Sequence, residues 1–348
     1  MKAIVIDQFV SDLASLKPRE ASIPQPKGPK DLHVRITHAA VTHVDTLYAQ
    51  GLHQNNHRHV QPPFILGNEF AGIVTSSPAS SPFRPGTRVF GGGLGSYAES
   101  ICVDEGSVRR VPGRWSNAEA CAVGASGAVS WGSLISVANL QQGETALILG
   151  ASGGLGVMAV QIAKAIGARA ITVVGDEEKA EMMRNLGADG VVDYHASNWE
   201  DEVKALTEDG EGVHVVYDAI GAIESGLKCL RYRGRLVIVG FAARGGKIEE
   251  VRANRILLKS ITVHGYRFGE DGRRLPERTK EAWDGFMGLV EAGRIKPVIY
   301  KEQYQGLGEI CRALEDLQMH KTWGRAILRI NEGMEVDIET EAEQKARL

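Results

Sequence analysis

Short apolar pieces separated by Gly and Pro dominate the first 120 residues of the chain. They occupy residues 3–6, 32–37, 72–75 and 87–90 and are rich in β-branched side chains. This pattern predicts strands, and therefore an all-β region. The glycine-rich run at residues 91–95 predicts a tight turn, because glycine tolerates the positive φ angles that such turns need, and we expect a further strand over residues 96–99.

The pattern changes near residue 118, where helical segments begin to alternate with short apolar runs. These runs occupy residues 145–149, 170–174, 190–192, 213–217, 235–239 and 260–263. Such alternation is typical of a parallel sheet covered on both faces, so we expect a doubly wound α/β domain. A helical period indicates a helix over residues 277–291, and the charged tail 331–348 predicts a frayed or exposed helix.

The composition describes a globular chain with little net charge. Its 348 residues, 43% of them hydrophobic, suffice for two domains with separate cores. The formal net charge is -3 and no stripe of Lys and Arg stands out, so nucleic acid is not an expected partner. The first apolar run is too short for a signal sequence or a membrane span, and we expect a cytoplasmic protein without a membrane partner. The four cysteines lie far apart and predict buried free thiols.

The strongest chemical signal lies at residues 147–156, where an apolar strand runs into the sequence GASGGLG and then into a helix. Gly150 is placed to make the turn, and Gly156 to let the helix pack closely on the strand. The glycines between them would let backbone N–H groups approach a diphosphate at the helix N-terminus, which attracts anions. The loop residues expected to contact a dinucleotide are Gly150, Ser152, Gly153, Gly154, Leu155 and Gly156.

Ribose recognition is expected at the end of the next strand, where the sequence reads GDEEK from Gly175. An acid here usually accepts hydrogen bonds from a free ribose 2′-hydroxyl, whereas a nearby cation favours the 2′-phosphate of NADP. Asp176 therefore favours NADH and Lys179 favours NADPH. Lys179 could equally be a solvated residue in the first turn of the following helix, and both interpretations stay open.

Several segments, in order along residues 1–330, resemble the medium-chain dehydrogenase/reductase superfamily. They are PFILGNEFAG at 63–72, PGTRVFG at 85–91, the loop at 150–156, and residues 187–194, 215–221 and 234–237. Residues 240–242 and 254–259 are similar to the zinc-free quinone oxidoreductase and enoyl reductase branch. The resemblance implies a GroES-like β-rich catalytic domain over residues 1–120, to which residues 266–330 return. It also implies a Rossmann domain with a doubly wound parallel sheet over residues 121–265, NADPH as cofactor and a homodimer.

The resemblance also assigns roles to residues outside the glycine loop. In such enzymes the Lys and Tyr at the positions of Lys179 and Tyr194 hold the 2′-phosphate. The backbone around Ile220 and Phe241, with the adjacent Ala242, meets the nicotinamide end. Val129 stands beside the nicotinamide, where a Thr is common.

The metal ligands of the zinc-dependent relatives are missing from this sequence. Those relatives have a Cys in the loop after the second strand and a His before the Glu that matches Glu69. Here residues 40–45 read AVTHVD and the residue before that Glu is Asn68, so a tetrahedral zinc site would lack its thiolate and one imidazole. We therefore expect chemistry without a metal, with the three histidines between residues 53 and 59 solvated.

Without a Lewis acid, the easier reaction is delivery of a hydride to an electron-poor alkene or a quinone. Hydride transfer to an α,β-unsaturated carbonyl leaves an enolate-like oxygen that needs a hydrogen-bond donor. The candidate catalytic residues are Thr42, His43 and Tyr48. The sequence thus favours a small-molecule reductase as the first hypothesis.

The same segment departs from the family pattern. Thr42 stands where Asn is usual, Leu47 where some members have Tyr, and Ala49 where Arg is frequent. These changes permit a second interpretation, in which the fold performs a non-redox conversion of a small-molecule intermediate. A third is a regulatory or scaffold protein that holds the nucleotide as a structural ligand, and the substrate stays open.

Overall fold

The computed structural model describes residues 1–242 and 249–331, and sixteen strands lie within them. Numbered β1 to β16 in chain order, they are Lys2–Ile6, Pro18–Glu20, Asp31–Val41, Phe64–Ile65, Glu69–Ser76, Arg88–Gly92, Ser100–Asp104, Val108–Arg110, Thr145–Leu149, Arg169–Val174, Gly190–Asp193, Val213–Asp218, Leu230–Ile238, Thr262–Gly265, Tyr304–Gln305 and Ala326–Arg329. The tail predicted as a helix lies outside the described residues beyond Asn331.

Eleven α-helices also lie in the described part of the chain. Numbered α1 to α11, they are His43–Gln50, Asn117–Val123, Ser126–Trp131, Gly154–Ala165, Glu177–Asn185, Trp199–Ala205, Ile223–Cys229, Ala253–Lys259, Phe268–Arg274, Pro276–Glu291 and Ile310–Gln318. A π-helix, Gly132–Val137, continues α3.

Six parallel strands form one sheet in the order β11-β10-β9-β12-β13-β14. Every residue of its central strand β9 is buried. Ala146 and Ile148 pack into one core cluster, while Leu147 and Leu149 pack into another, so both faces of the sheet are covered. This burial explains the continuous apolar runs in the sequence and confirms the predicted doubly wound Rossmann fold.

Strand β3 lies at the centre of the β-rich half. It pairs with β5, β7 and β16 in a seven-stranded sheet whose main order is β15-β16-β3-β5-β6-β8. The last two strands come from residues 304–329, so the chain returns to this sheet after completing the parallel one. The β-rich part of the predicted fold class is thereby confirmed.

Two parts of this half differ from the sequence prediction. Residues 43–50 form helix α1 rather than a loop, because Thr42 and Asp45 make a reciprocal capping box at its start. The strand expected over residues 96–99 begins only at Ser100, since Tyr97 uses its backbone to pair with β1 and with the residue after β4. The prediction of an all-β region therefore missed helix α1, which carries the candidate catalytic residues His43 and Tyr48.

The cysteines and the longest apolar helical run are accounted for by packing. All four cysteines are free; Cys121 and Cys229 are buried as predicted, whereas Cys102 and Cys311 are half-buried. The run Asn117–Val137 is long and apolar enough to cross a membrane by length and composition alone. Its most apolar window is 67% buried inside the protein, where α3 packs against α4 and α10.

Candidate functional site

The predicted phosphate loop joins β9 to α4 at the carboxyl edge of the parallel sheet. Gly150 has a φ of 76°, and Gly153 is the N-cap of α4. A Cβ at Gly156 would lie 2.3 Å from the Gly150 carbonyl oxygen, so only glycine permits this approach of helix to strand. Ser152 and Leu155 are half-buried beside them. The loop therefore presents backbone N–H groups at the start of a twelve-residue helix.

The ends of the neighbouring strands β12 and β13 lie along the same edge. Asp218 accepts hydrogen bonds from the backbone N–H of Ile220 at 3.0 Å and of the next residue at 2.8 Å, while burial raises the pKa of its carboxyl. Ile220 contacts the turn at Gly150: a Cβ added at Gly150 would lie 2.7 Å from Ile220 Cγ2. Phe241 packs on the residue after Ile220, and Ala242 donates its N–H to the residue after β12 at 3.4 Å. The residues predicted for the nicotinamide end thus lie together.

The residues predicted for ribose recognition meet at the ends of β10 and β11. Lys179 Nζ lies 2.8 Å from Asp176 Oδ2 and 2.8 Å from the carbonyl oxygen of His320. The Tyr194 ring covers Gly175, where a Cβ would lie 2.3 Å from the Tyr194 hydroxyl. Despite burial, which raises it, hydrogen bonds from Lys179 lower the pKa of Asp176. The Lys179 side chain is only 14% exposed, so it is held in place rather than solvated.

Helix α3 supports the phosphate loop from the other side. Ser130 Oγ donates to the carbonyl oxygen of Leu155 at 2.9 Å and lies 3.0 Å from the Tyr217 hydroxyl. Val129, one residue earlier, is half-buried on the same helix. Its place beside a nicotinamide stays a prediction.

Thr42 starts α1, and its hydroxyl is already engaged. It donates to Asp45 Oδ2 at 2.8 Å and accepts from the Asp45 N–H at 3.3 Å. Asp45 is fully buried and also accepts from the Tyr97 hydroxyl at 2.7 Å and from Asn68 Nδ2 at 2.6 Å. Burial raises the pKa of Asp45, and these hydrogen bonds oppose the rise. The Thr42 hydroxyl donates its proton to Asp45, so the geometry argues against the predicted role of Thr42 as a donor to substrate.

His43 is the first residue of α1 and is half-buried. Its Nε2 is buried and has no hydrogen-bond partner among the described residues. Burial, with a smaller contribution from His320, lowers the pKa of His43. The imidazole is therefore neutral near pH 7, which weakens the prediction that it acts as a general acid.

Tyr48, near the end of α1, is 6% exposed and packs in an apolar core cluster, while its hydroxyl meets the loop that follows. Its hydroxyl oxygen accepts from Asn55 Nδ2 at 2.7 Å, and its ring stacks on His53 with the centroids 4.3 Å apart. Burial raises the pKa of Tyr48, so the hydroxyl keeps its proton. Within the described chain this hydroxyl donates to no other residue, which leaves its proton available.

A buried ion pair of the β-rich half, which lies against the phosphate loop, is a feature that the sequence reasoning missed. Arg325 Nη2 lies 2.9 Å from Glu69 Oε2, and the two side chains are 10% and 12% exposed. Burial raises the pKa of Glu69, and Arg325 opposes the rise. The guanidinium also donates to Ser126 and covers Gly154, where a Cβ would lie 2.4 Å from Nε. The residue before Arg325 donates its N–H to the Ser152 carbonyl at 2.7 Å, so the last strand reaches the phosphate loop. No local sequence pattern marks this pair, because Arg325 precedes β16 and its partner Glu69 lies on a distant strand.

Metal-ligating side chains do not converge in the described part of the chain. Over residues 1–242 and 249–331, no three His, Cys, Asp or Glu side chains are grouped so as to hold an ion. Asn68, which precedes Glu69, directs its amide to Asp45 instead. Chemistry without a metal stays a prediction from the sequence.

Comparison with known proteins places this two-domain architecture in a family. The model of the alcohol dehydrogenase GroES-like domain matches residues 28–113, and that of the zinc-binding dehydrogenase matches residues 154–287. Quinone oxidoreductase-like protein 2 of Bos taurus is 31% identical over 316 residues, which cover 89% of this chain and 88% of that protein. A quinone oxidoreductase of Pseudomonas aeruginosa is 33% identical over 311 residues, which cover 88% and 93%.

A solved structure agrees with this placement. Escherichia coli quinone oxidoreductase complexed with NADPH superposes with a TM-score of 0.82 at 27% identity, covering 94% of this chain and 100% of that one. The fold and the loop define a protein with a GroES-like domain and a Rossmann domain. The chain belongs to the medium-chain dehydrogenase/reductase superfamily, in its quinone oxidoreductase-like branch. The resemblance stated from the sequence is confirmed.

Proposed function

We propose that the protein is an NADPH-dependent oxidoreductase that reduces a quinone or an α,β-unsaturated carbonyl compound without a metal. The observation that carries the proposal is the line of sites along the carboxyl edge of the parallel sheet. Lys179 and Tyr194 stand at one end of that edge and Ile220 and Phe241 at the other, with the glycine loop between them. The similar Escherichia coli enzyme, which was crystallised with NADPH, supports the choice of cofactor.

The chain's residues fit a dinucleotide. A Cβ at Gly153 would meet only the Gly150 carbonyl oxygen, at 3.6 Å, so the N-cap of α4 is open to an anion. The N–H groups of α4 would hold the diphosphate, and Arg325, whose Nε is buried without a hydrogen-bond partner in the described chain, offers a further N–H donor beside Gly154. Lys179 and Tyr194 would hold a 2′-phosphate. NADH is the alternative because Asp176 could accept from a free ribose hydroxyl.

Tyr48 is the candidate proton donor that the geometry favours. When bound, the nicotinamide would supply a hydride to the electron-poor carbon of the substrate. Asn55 holds the Tyr48 oxygen and directs its proton away from itself, so Tyr48 can donate to the oxygen that gains negative charge. Thr42 would position this side chain indirectly, by starting the helix that carries it.

We also propose that the protein is a homodimer. Strand β14 is an outer strand of the six-stranded sheet, with one partner, β13, among the described residues. The adjoining helix α8 exposes Leu257 and Leu258, which are 77% and 74% exposed. An unpaired strand edge beside apolar side chains suits a second copy of the chain. Light scattering of the purified protein tests this, and a monomer at micromolar concentration would reject it.

The enzymatic proposal is tested by following the absorbance of reduced nicotinamide with a panel of quinones and enones. We expect consumption of NADPH, and a fall in kcat of about a hundredfold in Tyr48→Phe, because one general acid is removed. Tyr232→Phe, at a tyrosine that is 58% exposed, is the matched control and should keep wild-type kcat. Measurable NADPH binding without consumption by any acceptor would reject the reductase. Product formation without cofactor would then support a non-redox conversion.

A further inference from the structure

Two arginines lie close to the hydroxyl of Tyr48, the candidate proton donor. Arg267 Nη2 donates to Asn55 Oδ1 at 2.7 Å, and Arg273 Nη2 does so at 3.4 Å. Both arginines come from the segment after β14, whereas Asn55 belongs to the loop after α1. We call Arg267, Arg273 and Asn55 the arginine rim. It joins the Rossmann side of the cleft to the β-rich side.

The rim has more positive than negative charge. One carboxylate, Glu270, lies within 3.6 Å of Arg267 and 2.6 Å of each of Arg273 and Arg274. Hydrogen bonds from Arg273 and Arg274 lower the pKa of Glu270 to about 2. Asp271 is the other acid of α9, and the facing loop, residues 51–60, contains an Arg and three His but no acid. Arg267 and Arg273 share the Glu270 carboxylate with Arg274, so the positive charge of the rim is only partly neutralised.

The rim adjoins both the proton donor and the nicotinamide end of the site. Asn55 contacts Arg267 through Oδ1 and the Tyr48 hydroxyl through Nδ2, at 2.7 Å in each case. On the other side, Tyr266, the residue before Arg267, donates its N–H to the Ile238 carbonyl at 2.9 Å. Ile238 ends β13, three residues before Phe241. A single side chain, Asn55, therefore connects the two arginines to the Tyr48 hydroxyl.

The position of the arginines suits a bound anion. The Arg267 and Arg273 side chains are 50% and 42% exposed, so their remaining N–H groups are accessible. Asn55 is neutral, so its hydrogen bonds to both guanidinium groups add no negative charge to that of Glu270. A guanidinium binds carboxylate or phosphate through paired hydrogen bonds, which are stronger than those to neutral acceptors.

We propose that the substrate carries an acidic group, a carboxylate or a phosphate, which Arg267 and Arg273 bind while the unsaturated carbonyl reaches Tyr48. The inference rests on the proposed reductase function and narrows its substrate class. Neutral quinones and enones would be poorer substrates than their acidic counterparts. Bulk salt would weaken the preference, because the arginines are solvent-accessible.

Two matched pairs of probes test the proposal and separate the sources of the charge. The carboxylate pair is 4-oxopent-2-enoate and its methyl ester, and the phosphate pair is crotonyl-coenzyme A and the crotonyl thioester of N-acetylcysteamine. We expect kcat/KM with NADPH to favour the anion of at least one pair by about tenfold, the effect of one hydrogen bond to a charged group. The pair that shows the preference identifies the acidic group.

Binding without turnover provides the second measurement. Saturated 4-oxopentanoate, butyryl-coenzyme A and their neutral counterparts are titrated by calorimetry into the protein with NADP⁺, and the anion should again bind about tenfold more tightly in the same pair. Absence of any preference for the anion in this assay overturns the rim proposal, whether or not hydride transfer occurs. Anion preference in binding without reduction of any probe overturns the reductase and leaves the rim intact.

The variants Arg267→Gln and Arg273→Gln should bring the ratio of anion to neutral affinity close to one, whereas Arg273→Lys should restore part of it. Arg274→Gln is the matched control, because this arginine is 74% exposed and contacts Glu270 without contacting Asn55. An unchanged ratio in both Gln variants, or an equal loss in Arg274→Gln, contradicts the proposal. If a Gln variant does not fold, the ratio of anion to neutral affinity is measured for the wild type from low to high salt. A ratio that salt does not reduce also contradicts the proposal.

Discussion

The Rossmann half and the β-rich half use their candidate site residues in opposite ways. Along the parallel sheet, the candidate cofactor residues leave backbone N–H groups open at the start of α4. Across the cleft, at the start of α1, Thr42 and Asp45 bond to each other, and Tyr97 and Asn68 complete the bonding of the buried carboxylate. The glycine loop therefore has backbone N–H groups free to bind a ligand. The hydroxyl of Thr42, a residue type suited to catalysis, is instead hydrogen-bonded within the protein.

The difference has a physical origin. A helix N-terminus keeps unpaired N–H groups whatever the neighbouring side chains are, so a ligand can use them. A hydroxyl beside a fully buried carboxylate donates to it, because leaving that charge unsatisfied would cost more than losing a surface contact. Four predictions test this contrast.

The first prediction concerns the buried ion pair of Arg325 and Glu69, which lies in the β-rich half against the phosphate loop. Arg325→Met should lower the free energy of unfolding by about 3 kcal/mol, because it leaves the Glu69 carboxylate buried without its partner. Chemical denaturation measures the loss, and the double variant Arg325→Met/Glu69→Gln should recover part of it. Arg312→Met, at an ion pair whose side chains are 42% and 39% exposed, is the control and should cost less than about 1 kcal/mol. Equal losses in the two single variants would show that the buried pair has no special role.

The second prediction separates packing from binding in the phosphate loop. Gly156→Ala should lower the free energy of unfolding by about 2 kcal/mol, because its Cβ would lie 2.3 Å from a carbonyl oxygen and 2.4 Å from Ala151 Cα. Gly153→Ala, with its Cβ 3.6 Å from Gly150 O, should fold normally but bind NADPH more weakly, since the methyl group faces the expected diphosphate. Denaturation and calorimetry on both variants check this. Normal stability in Gly156→Ala would refute the packing argument.

The third prediction addresses the ribose end. Lys179→Ala should weaken NADPH binding by about tenfold and leave NADH binding nearly unchanged, since one contact to a 2′-phosphate is lost. Lys204→Ala is the control, because Lys204 forms an ion pair with Asp201 at the same i,i+3 spacing and the same 2.8 Å distance. Asp176→Ser should shift the preference further toward NADPH. Unchanged NADPH affinity in Lys179→Ala would remove the phosphate assignment.

The fourth prediction concerns pH, in the β-rich half alone. Burial, with a smaller contribution from Arg329, lowers the pKa of His38 to about 4 from 6.5. The unfolded chain therefore takes up a proton at higher pH than the folded one, so this stability is full above pH 6.5 and is lost as pH falls toward 4. Between pH 6.5 and 5.5 we expect His38 to account for about 1 kcal/mol of the loss in unfolding free energy, measured by denaturation as the difference between the wild type and His38→Gln. His195→Gln, at an exposed histidine, should behave as wild type.

The phosphate loop is a feature that the sequence predicts in detail. A strand, glycines and a helix in succession predict the turn at Gly150 and the close packing at Gly156, because both depend on contacts between residues near one another in the chain. The capping box of Thr42 and Asp45 is also local, and attention to it would have found α1. The ion pair of Glu69 and Arg325 joins residues far apart in sequence, so no local pattern could indicate it.

Burial on both faces and backbone freedom leave direct traces in residue type, so the two fold classes, the order of the apolar strands and the position of the glycine-rich loop follow from the sequence alone. Only the tertiary structure decided which polar side chains are free. Thr42 is committed to Asp45, Tyr48 keeps an available proton, and Arg267 meets Asn55 across the cleft. Hydrogen bonds depend on where distant segments meet, and those meetings exist only in the folded chain.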